Sequence, residues 1–212
     1  MIERHEVFAR ASEQWDRRYG ATPRVFRAEP DETLVELVSP LAPGQALDLG
    51  AGEGRNSLWL AKSGWTVVAV DASQVALDRI GEFAAADGVT VEAIHSDIID
   101  YLQSARATGR HFDLVVLAYL HPSPEERAAL LDAVVASLST NGHLFIVGHH
   151  VSSLGMAGPP DPSRLYSEDD LLRALQPLEV LRLDRRDGAS DVSEPGVDVV
   201  LWATKGPGPR RG

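Results

Sequence analysis

The sequence predicts an α/β fold in which helices cover both faces of an open, mostly parallel sheet. A short apolar strand, a turn with three glycines and a helix follow one another over residues 46–63. Apolar, β-branched segments then alternate with segments whose apolar residues recur at helical spacing. The chain ends in two strand patterns with no helix between them, whereas a simple doubly wound sheet would continue its alternation.

Composition narrows the class of partner. The 212 residues suit one domain with a substantial core. The net charge of −11, from 20 basic and 31 acidic residues, weighs against DNA or RNA, because such binding neutralises phosphates. Without cysteine there is no disulfide, thiolate zinc site or cysteine nucleophile. Neither a membrane-spanning run nor a signal-peptide core is present, so we expect a cytoplasmic protein with a small-molecule substrate and no nucleic-acid or membrane partner.

The turn after the first strand is built for close contact with a ligand. Its glycines occupy alternate positions: Gly50, Gly52 and Gly54. Without Cβ atoms they allow a tight turn and let a ligand touch the main chain, while the next helix directs its free N–H groups to the same place. A dinucleotide fingerprint needs a small third residue, but that position falls on Arg55. The turn therefore favours another nucleotide-like ligand, with a chance glycine turn as the alternative.

A helical cap is predicted over residues 1–41. Its first helix, 3–19, is amphipathic and carries Trp15 and Tyr19 on the apolar face. Its second helix, 30–41, begins with a proline, which suits a first helical turn. The first helix either packs on the sheet or covers a binding site as a lid, and both roles are compatible with the same residues.

The remaining elements follow from the same periodicities and from the glycines that end helices. The predicted strands are 46–49, 66–70, 89–94, 112–119, 144–148, 178–183 and 197–204. The predicted helices are 55–63, 73–87, 98–102, 123–142 and 167–175. A loop over 151–166, rich in glycine, proline and serine, is long enough to cover an active site. A polar turn over 187–196 and a disordered tail over 205–212 complete the chain.

Asp71 stands at the end of the second strand, directly after a buried apolar run. Ligands of open α/β sheets bind at the carboxyl ends of the strands, and an acid there accepts hydrogen bonds from ribose hydroxyls. The alternative is a cap for the next helix, but Ser73 is better placed for that role. We therefore expect Asp71 to bind a ribose.

The pattern D-x-G-x-G-x-G, which starts at Asp48, resembles the glycine loop of class I S-adenosylmethionine (SAM) methyltransferases. The resemblance extends over about residues 15–204 and is closest to the tellurite-resistance and thiopurine type of small-molecule methyltransferase. Its most specific segment is 47–57, which continues the loop as Gly-Arg-Asn-Ser. We do not assign the loop over 155–162, or the pair of histidines before it, to the founding members of this group. The resemblance therefore supports the reaction but does not identify the substrate.

The resemblance implies a three-layer αβα Rossmann-like sandwich, with a seven-stranded, mostly parallel sheet and an antiparallel last strand. The implied activity is methyl transfer from SAM to a small-molecule acceptor through sulfur, oxygen, nitrogen or another chalcogen, with S-adenosylhomocysteine as the product. The implied domain is single and covers residues 1–204. Two other functions remain open: a SAM-binding sensor or partner protein without catalysis, and a nicotinamide oxidoreductase, against which Arg55 argues.

The resemblance also assigns roles at the cofactor site. Gly50 and Gly52 bring backbone to the methionine part of SAM, and Asp48 supports the loop. Asp71 holds the ribose, and Asp97 with Ile98 holds the adenine, although Asp97 also suits a cap of the next helix. The full set of cofactor residues is Trp15, Tyr19, Asp48, Gly50, Ala51, Gly52, Arg55, Asn56, Asp71, Ala72, Ser73, Asp97, Ile98, Leu117 and Tyr119. Of these, Arg55 and Asn56 could instead reach the acceptor, and Arg55 could simply be a surface residue.

An oxygen or nitrogen acceptor can require a base, and histidine is the natural one near neutral pH. Our catalytic candidates are His121, His149 and His150, at the ends of the fourth and fifth strands; a structural role for each is the alternative. We predict no metal, because no acidic partner follows the fourth strand. The Pro-Pro-Tyr signature of amino methyltransferases is absent from that place, which argues against methylation of exocyclic base amines.

Overall fold

A computed structural model of the protein describes residues 4–187 and 196–207, and side chains from residue 6 onward. The chain divides into two compact units, Met1–Tyr101 and Leu102–Gly212. Its strands follow the order β3-β2-β1-β4-β5-β7-β6 in a sheet of seven strands, numbered along the chain. Nearly all of the polar turn predicted over 187–196, and residues 208–212 of the predicted tail, lie outside the described residues.

The first unit contains three parallel strands and the helices that connect them. Its elements are α1 (Arg4–Gly20), α2 (Glu32–Val38), β1 (Gln45–Leu49), α3 (Arg55–Lys62), β2 (Thr66–Asp71), α4 (Gln74–Asp87), β3 (Val91–His95) and the start of α5 (Ile98–Ala107). β2 pairs with β1 on one side and with β3 on the other. Leu49 lies opposite Val70, so β1 and β2 end side by side and bring the glycine turn next to Asp71.

The second unit contains the other four strands. Its elements are β4 (Phe112–Ala118), α6 (Pro124–Ser137), β5 (Leu138–His149), two short 3-10 helices (Val151–Ser153 and Pro162–Arg164), α7 (Glu168–Ala174), β6 (Glu179–Asp187) and β7 (Val197–Thr204). β4 and β5 are parallel, whereas β7 is antiparallel to both β5 and β6. The α/β class, the seven strands and the antiparallel last strand were all predicted, and the sheet confirms them.

Some predicted boundaries were wrong, and pairing with distant segments decides the one between α6 and β5. The fifth strand begins at Leu138, not at residue 144, and α6 accordingly ends at Ser137. Leu138 pairs with Phe112 at the start of β4. The Asn141 amide donates to the Lys205 carbonyl oxygen, and the Lys205 amide donates to the Gly142 carbonyl oxygen. The helix predicted over 98–102 runs on to Ala107.

Lys205, the first residue of the predicted tail, is held in place. Its Nζ atom donates to the carbonyl oxygens of Val135 and Leu138, at 3.0 and 2.8 Å. The disorder of the tail beyond it stays a prediction. In the part of the chain that the structure describes, no helix combines the length and apolar character needed to cross a membrane.

Candidate functional site

The glycine turn of the first unit adopts the conformation that its sequence predicts. Gly50, Gly52 and Gly54 have φ values of 71°, 54° and 80°, in the left-handed region that other residues avoid. The amides of Gly50 and Ala51 donate to the carbonyl oxygen of Val70, at 2.8 and 3.2 Å. The turn is therefore fastened to the carboxyl end of β2, and α3 starts directly after it.

Asp71 lies buried against this turn, with 7% of its surface exposed. One carboxylate oxygen accepts the Gly52 amide and the other accepts the Ser73 amide, both at 2.8 Å. Burial raises the pKa of Asp71 above its usual value, against the opposing effect of these amides. Each carboxylate oxygen has a second lone pair for a ligand hydroxyl. Ser73, as expected, caps α4 through the Ala76 amide.

Asp48 supports the start of α3 from inside β1. The Ser57 hydroxyl donates to its carboxylate at 2.6 Å, and only 2% of the residue is exposed. Burial raises the pKa of Asp48 to about 6, although the hydrogen bond from Ser57 works the other way. The contact joins the strand before the turn to the helix after it.

Helix α1 places an aromatic side chain directly on the turn. A Cβ atom added to Gly52 would lie 2.7 Å from the Tyr19 hydroxyl oxygen, so only glycine leaves room for this packing. Tyr19 is buried and stacks on Trp15, with 5.7 Å between the ring centroids. The Arg18 guanidinium lies 5.2 Å from the Trp15 ring centroid, so this ring already carries one cation.

The sequence reasoning missed an ion pair beside the turn. Glu53 is 4% exposed, and one of its oxygens accepts the amides of Val25 and Phe26, at 3.0 and 3.1 Å. Its other oxygen accepts a 2.6 Å hydrogen bond from Arg79 on α4. Arg79 also donates to the carbonyl oxygens of residues 19 and 22, at 2.7 and 2.6 Å. In the sequence, the only indication of this ion pair was an acidic residue inside a glycine turn.

Other predicted cofactor residues have structural contacts. Asn56 is buried, and its side-chain oxygen accepts the amide of Asp31, the cap of α2, at 3.0 Å. Arg55 is partly buried at the first position of α3. Asp97 accepts the amides of Ile99 and Asp100 at the start of α5, at 2.9 and 3.2 Å, as its alternative role required. A role of Asp97 at the adenine stays a prediction, as does that of Ile98.

The second unit brings a histidine and a buried carboxylate together. His149 and Asp198 are opposite residues of the antiparallel strands β5 and β7, and His149 Nδ1 lies 3.0 Å from an Asp198 oxygen. The other Asp198 oxygen accepts a 2.7 Å hydrogen bond from the Tyr119 hydroxyl. Arg186 Nη2 donates to that hydroxyl at 3.0 Å. Tyr119 has a left-handed backbone, with φ 56°.

The other two candidate histidines are fastened at both ring nitrogens. His121 Nδ1 lies 3.2 Å from the Arg164 carbonyl oxygen, and Nε2 accepts the His149 amide at 3.4 Å. Burial and the neighbouring His149 lower the pKa of His121 to about 4. His150 accepts the Ser152 amide with Nδ1 and so directs Nε2–H to Glu168, at 3.1 Å.

Leu117 is buried in β4, where it pairs with Ile146 of β5. Like Tyr119, it belongs to the second unit, and the cofactor contacts predicted for both residues stay predictions. Within residues 4–187 and 196–207, no cluster of three histidine or acidic side chains could hold a metal ion.

Comparisons with known proteins address the domain and the fold. Residues 46–142 match the family model described as "Methyltransferase domain". The cypemycin N-terminal methyltransferase of a Streptomyces species is 36% identical over 124 residues, which are 55% of this chain and 48% of that relative. The chain thus spans about half the length of this curated relative.

Two solved structures show the fold. TehB from Haemophilus influenzae aligns with a TM-score of 0.70 at 18% identity, over 92% of this chain and 67% of TehB. The N-methyltransferase NodS from Bradyrhizobium japonicum WM9, in complex with S-adenosyl-L-homocysteine, aligns with a TM-score of 0.70 at 16% identity, over 92% of this chain and 98% of NodS. The predicted resemblance to methyltransferases is confirmed by the domain match over residues 46–142, and the two alignments confirm the class I SAM-dependent methyltransferase fold.

Proposed function

We propose that this chain, which carries a methyltransferase domain over residues 46–142 and the class I SAM-dependent methyltransferase fold, methylates a small molecule with SAM. The observation that carries the proposal is Asp71, a buried carboxylate fixed by two amides beside the glycine turn. The N-methyltransferase NodS, of the same fold, binds S-adenosyl-L-homocysteine. A net charge of −11 favours a neutral or cationic acceptor over a polyanion.

The residues of the first unit fit the parts of SAM. Asp71 accepts the ribose hydroxyls, because each of its oxygens still has a lone pair after binding an amide. The turn over Gly50, Ala51 and Gly52, with left-handed φ values at the two glycines, presents backbone to the methionine part. Trp15, whose ring Arg18 also contacts, and Tyr19 are the aromatic side chains of the proposed set, and an aromatic face attracts a sulfonium by about 0.5–2 kcal/mol. The proposed cofactor set also includes Ala72, Ser73, Asp97 and Ile98, which follow β2 and β3.

Methyl transfer from SAM requires little covalent chemistry from the protein itself. SAM supplies a methyl group that is activated by its sulfonium and is displaced in line by the acceptor. Holding the two reactants in the right orientation can lower the barrier by about 7–11 kcal/mol. The rigid turn, fastened to Val70 and to Asp71, suits this positioning role. The single domain over 1–204, its cap over 1–41 and a cytoplasmic location stay predictions.

Calorimetry with S-adenosylhomocysteine tests the cofactor. The wild type is expected to bind, and Asp71→Ala is expected to raise the dissociation constant at least tenfold, because a hydrogen bond to a charged group contributes about 1.5–3 kcal/mol. Asp78→Ala, which removes an exposed carboxylate from α4, is the matched control.

The outcomes separate the competing functions. If the wild type does not bind S-adenosylhomocysteine at millimolar concentration, the proposed function is overturned. If Asp71→Ala leaves the dissociation constant unchanged, only the assignment of Asp71 to the ribose is refuted. A screen of thiol, phenol and heterocycle acceptors with labelled SAM then tests catalysis. Binding without any turnover would instead indicate a SAM sensor or partner protein.

A further inference from the structure

We infer that binding of the cofactor and docking of α1 onto the first unit stabilise each other, and that Asp16 on α1 is the positioning residue that couples them. Asp71, the acid proposed to bind the ribose, is then held in its binding orientation only while α1 is docked. This inference rests on the proposed function, and it adds to that function a residue and a conformational step. All of the contacts that carry it lie within the first unit.

One stripe of α1 meets the carboxyl ends of all three strands of the first unit. Its members follow one another at helical spacing and are Phe8, Ser12, Asp16 and Tyr19. The first two contact His95 at the end of β3, the third contacts Ser73 just after β2, and the last packs on Gly52 just after β1. Over this stripe the helix rises about 16 Å, which is enough to cross three strands that lie about 4.8 Å apart. α1 therefore lies across the strand ends at which ligands of open α/β sheets bind.

Asp16 holds the start of α4 at two points. One of its carboxylate oxygens accepts the Ser73 hydroxyl at 2.6 Å and the Val75 amide at 3.2 Å. The Ser73 hydroxyl oxygen in turn accepts the Ala76 amide at 3.1 Å. A carboxylate near the N-terminus of a helix also interacts favourably with the helix dipole. The first turn of α4 is thus fixed in part by a residue of α1.

Both amides that fix the Asp71 carboxylate belong to residues that α1 contacts. The Ser73 amide donates to one oxygen at 2.8 Å, and the hydroxyl of the same residue donates to Asp16. The Gly52 amide donates to the other oxygen at 2.8 Å, and a Cβ atom on that glycine would lie 2.7 Å from the Tyr19 hydroxyl oxygen. Ser73 is wholly buried, so its hydroxyl depends on a protein acceptor. Undocking of α1 therefore loosens the support of both amides.

A histidine at the end of β3 connects α1 to the same segment. His95 Nε2 lies 2.8 Å from the Ala72 carbonyl oxygen and 3.2 Å from the Ser12 hydroxyl oxygen. Because a carbonyl oxygen only accepts hydrogen bonds, Nε2 carries the proton of this contact. Ala72 stands between Asp71 and Ser73 in the chain. Two successive turns of α1 therefore hold the segment that directly follows the proposed ribose acid.

The attachment of α1 buries little apolar surface, which makes it reversible. Among the side chains of α1 that the structure describes, Tyr19 alone is fully buried, and Val7 is 46% exposed. Segments with few buried apolar contacts and exposed hydrogen bonds open at low free energy. A ligand that requires the docked arrangement shifts this equilibrium towards docking, and docking strengthens binding of the ligand by the same factor.

Hydrogen exchange of the wild type measures the coupling without any variant. A ligand that binds only the docked state stabilises that state about 100-fold at 100 times its dissociation constant. S-adenosylhomocysteine at that concentration is therefore expected to slow the exchange of the α1 amides at least about tenfold. Asp16→Ala is expected to lose most of this slowing.

Calorimetry with S-adenosylhomocysteine measures the effect on binding. Asp16→Ala is expected to raise the dissociation constant about tenfold, because a hydrogen bond to a charged group corresponds to about that factor or more. Asp16→Asn keeps an oxygen acceptor and is expected to stay within about threefold of the wild type. Glu13→Ala is the matched control, since it removes from the same helix a carboxylate whose side chain is 73% exposed, and it is expected to bind as the wild type does.

A second ligand separates an effect through Asp71 from a general loss of structure. The ligand is S-adenosylhomocysteine whose ribose lacks both hydroxyl groups, so that Asp71 has no ribose hydroxyl to bind. Asp16→Ala is expected to change the dissociation constant of this ligand less than about threefold, because the contact that Asp16 positions is missing.

Three results would overturn the inference. They are equal losses of affinity for the two ligands, an unchanged S-adenosylhomocysteine constant for Asp16→Ala, and α1 amides in the wild type whose exchange S-adenosylhomocysteine does not slow. The last result needs no variant, so it decides the matter even where Asp16→Ala fails to fold. A wild type that does not bind S-adenosylhomocysteine would instead defeat the proposed function, and the inference with it.

Discussion

Replacing Arg79 with leucine tests how the first unit holds the connection between α1 and α2 against the glycine turn. Arg79 donates to the Glu53 carboxylate, to the Tyr19 carbonyl oxygen at the end of α1 and to the Thr22 carbonyl oxygen of that connection, all at 2.6–2.7 Å. Leucine fills part of the same volume but leaves these acceptors without their donor. The variant therefore isolates the guanidinium from the packing of its stem.

The expected loss follows from the burial of the pair. The Glu53 and Arg79 side chains are 3% and 15% exposed, so Arg79→Leu leaves a carboxylate buried without its cation. Removing one partner of a buried ion pair typically destabilises a protein by about 3–5 kcal/mol. Two amides still donate to Glu53, which places the expected loss near the lower end, about 3 kcal/mol. The double variant Glu53→Gln/Arg79→Leu should recover part of it, because glutamine accepts the same amides without a charge.

Urea unfolding gives the free energy of unfolding for each variant. Arg173→Leu breaks another arginine–carboxylate pair whose side chains are 72% and 45% exposed, and it should cost less than about 1 kcal/mol. A loss below about 1 kcal/mol for Arg79→Leu would refute this account of the connection. A double variant less stable than Arg79→Leu would show that the unpaired charge is not the cause.

Two further predictions concern the glycine turn and the strand before it. Gly52→Ala should destabilise the protein more than Gly88→Ala and should weaken S-adenosylhomocysteine binding. Both glycines have a left-handed backbone, which costs alanine about 1–2 kcal/mol, but only at Gly52 does the new methyl group meet Tyr19. Equal losses of the free energy of unfolding in urea would contradict this reason. Asp48→Asn should change how stability depends on pH. Because burial raises the pKa of Asp48 from its usual value of 3.8 to about 6, its stabilising contribution is fully present below about pH 3.8 and is lost as pH rises through about 6. The stability of the wild type relative to Asp48→Asn should therefore fall by about 2–3 kcal/mol from about pH 4 to pH 7, and parallel curves would refute the shift.

The sequence predicted the order of the elements because the signals for strands and helices are local. The periodicity of apolar residues, the alternate glycines from Gly50 and the capping box at Ser123 each span only a few positions. The last strand, 197–204, was predicted with its observed bounds. The start of β5 was not, because Asn141 is ordered through its backbone partner Lys205, 64 positions later in the chain.

In the candidate site, too, some residues could be predicted from local sequence and others could not. The residue type and position of Asp71 were enough to place it at the end of β2, beside the turn. The role of Glu53 could not be predicted, because its partners come from α4 and from the connection before α2. Only folding shows that an acid inside the turn is buried and paired.

By itself, the sequence determined the fold class, the glycine turn and a histidine near the end of each of two central strands. It could not distinguish His121, His149 and His150, since the three are the same residue type in similar positions. Tertiary structure decided between them, because the state of an imidazole depends on the groups that face its two nitrogens. Those groups come from distant segments: the carbonyl of Arg164, the carboxylate of Asp198 and the carboxylate of Glu168. Of the three, only His149 keeps an uncommitted nitrogen within the described residues.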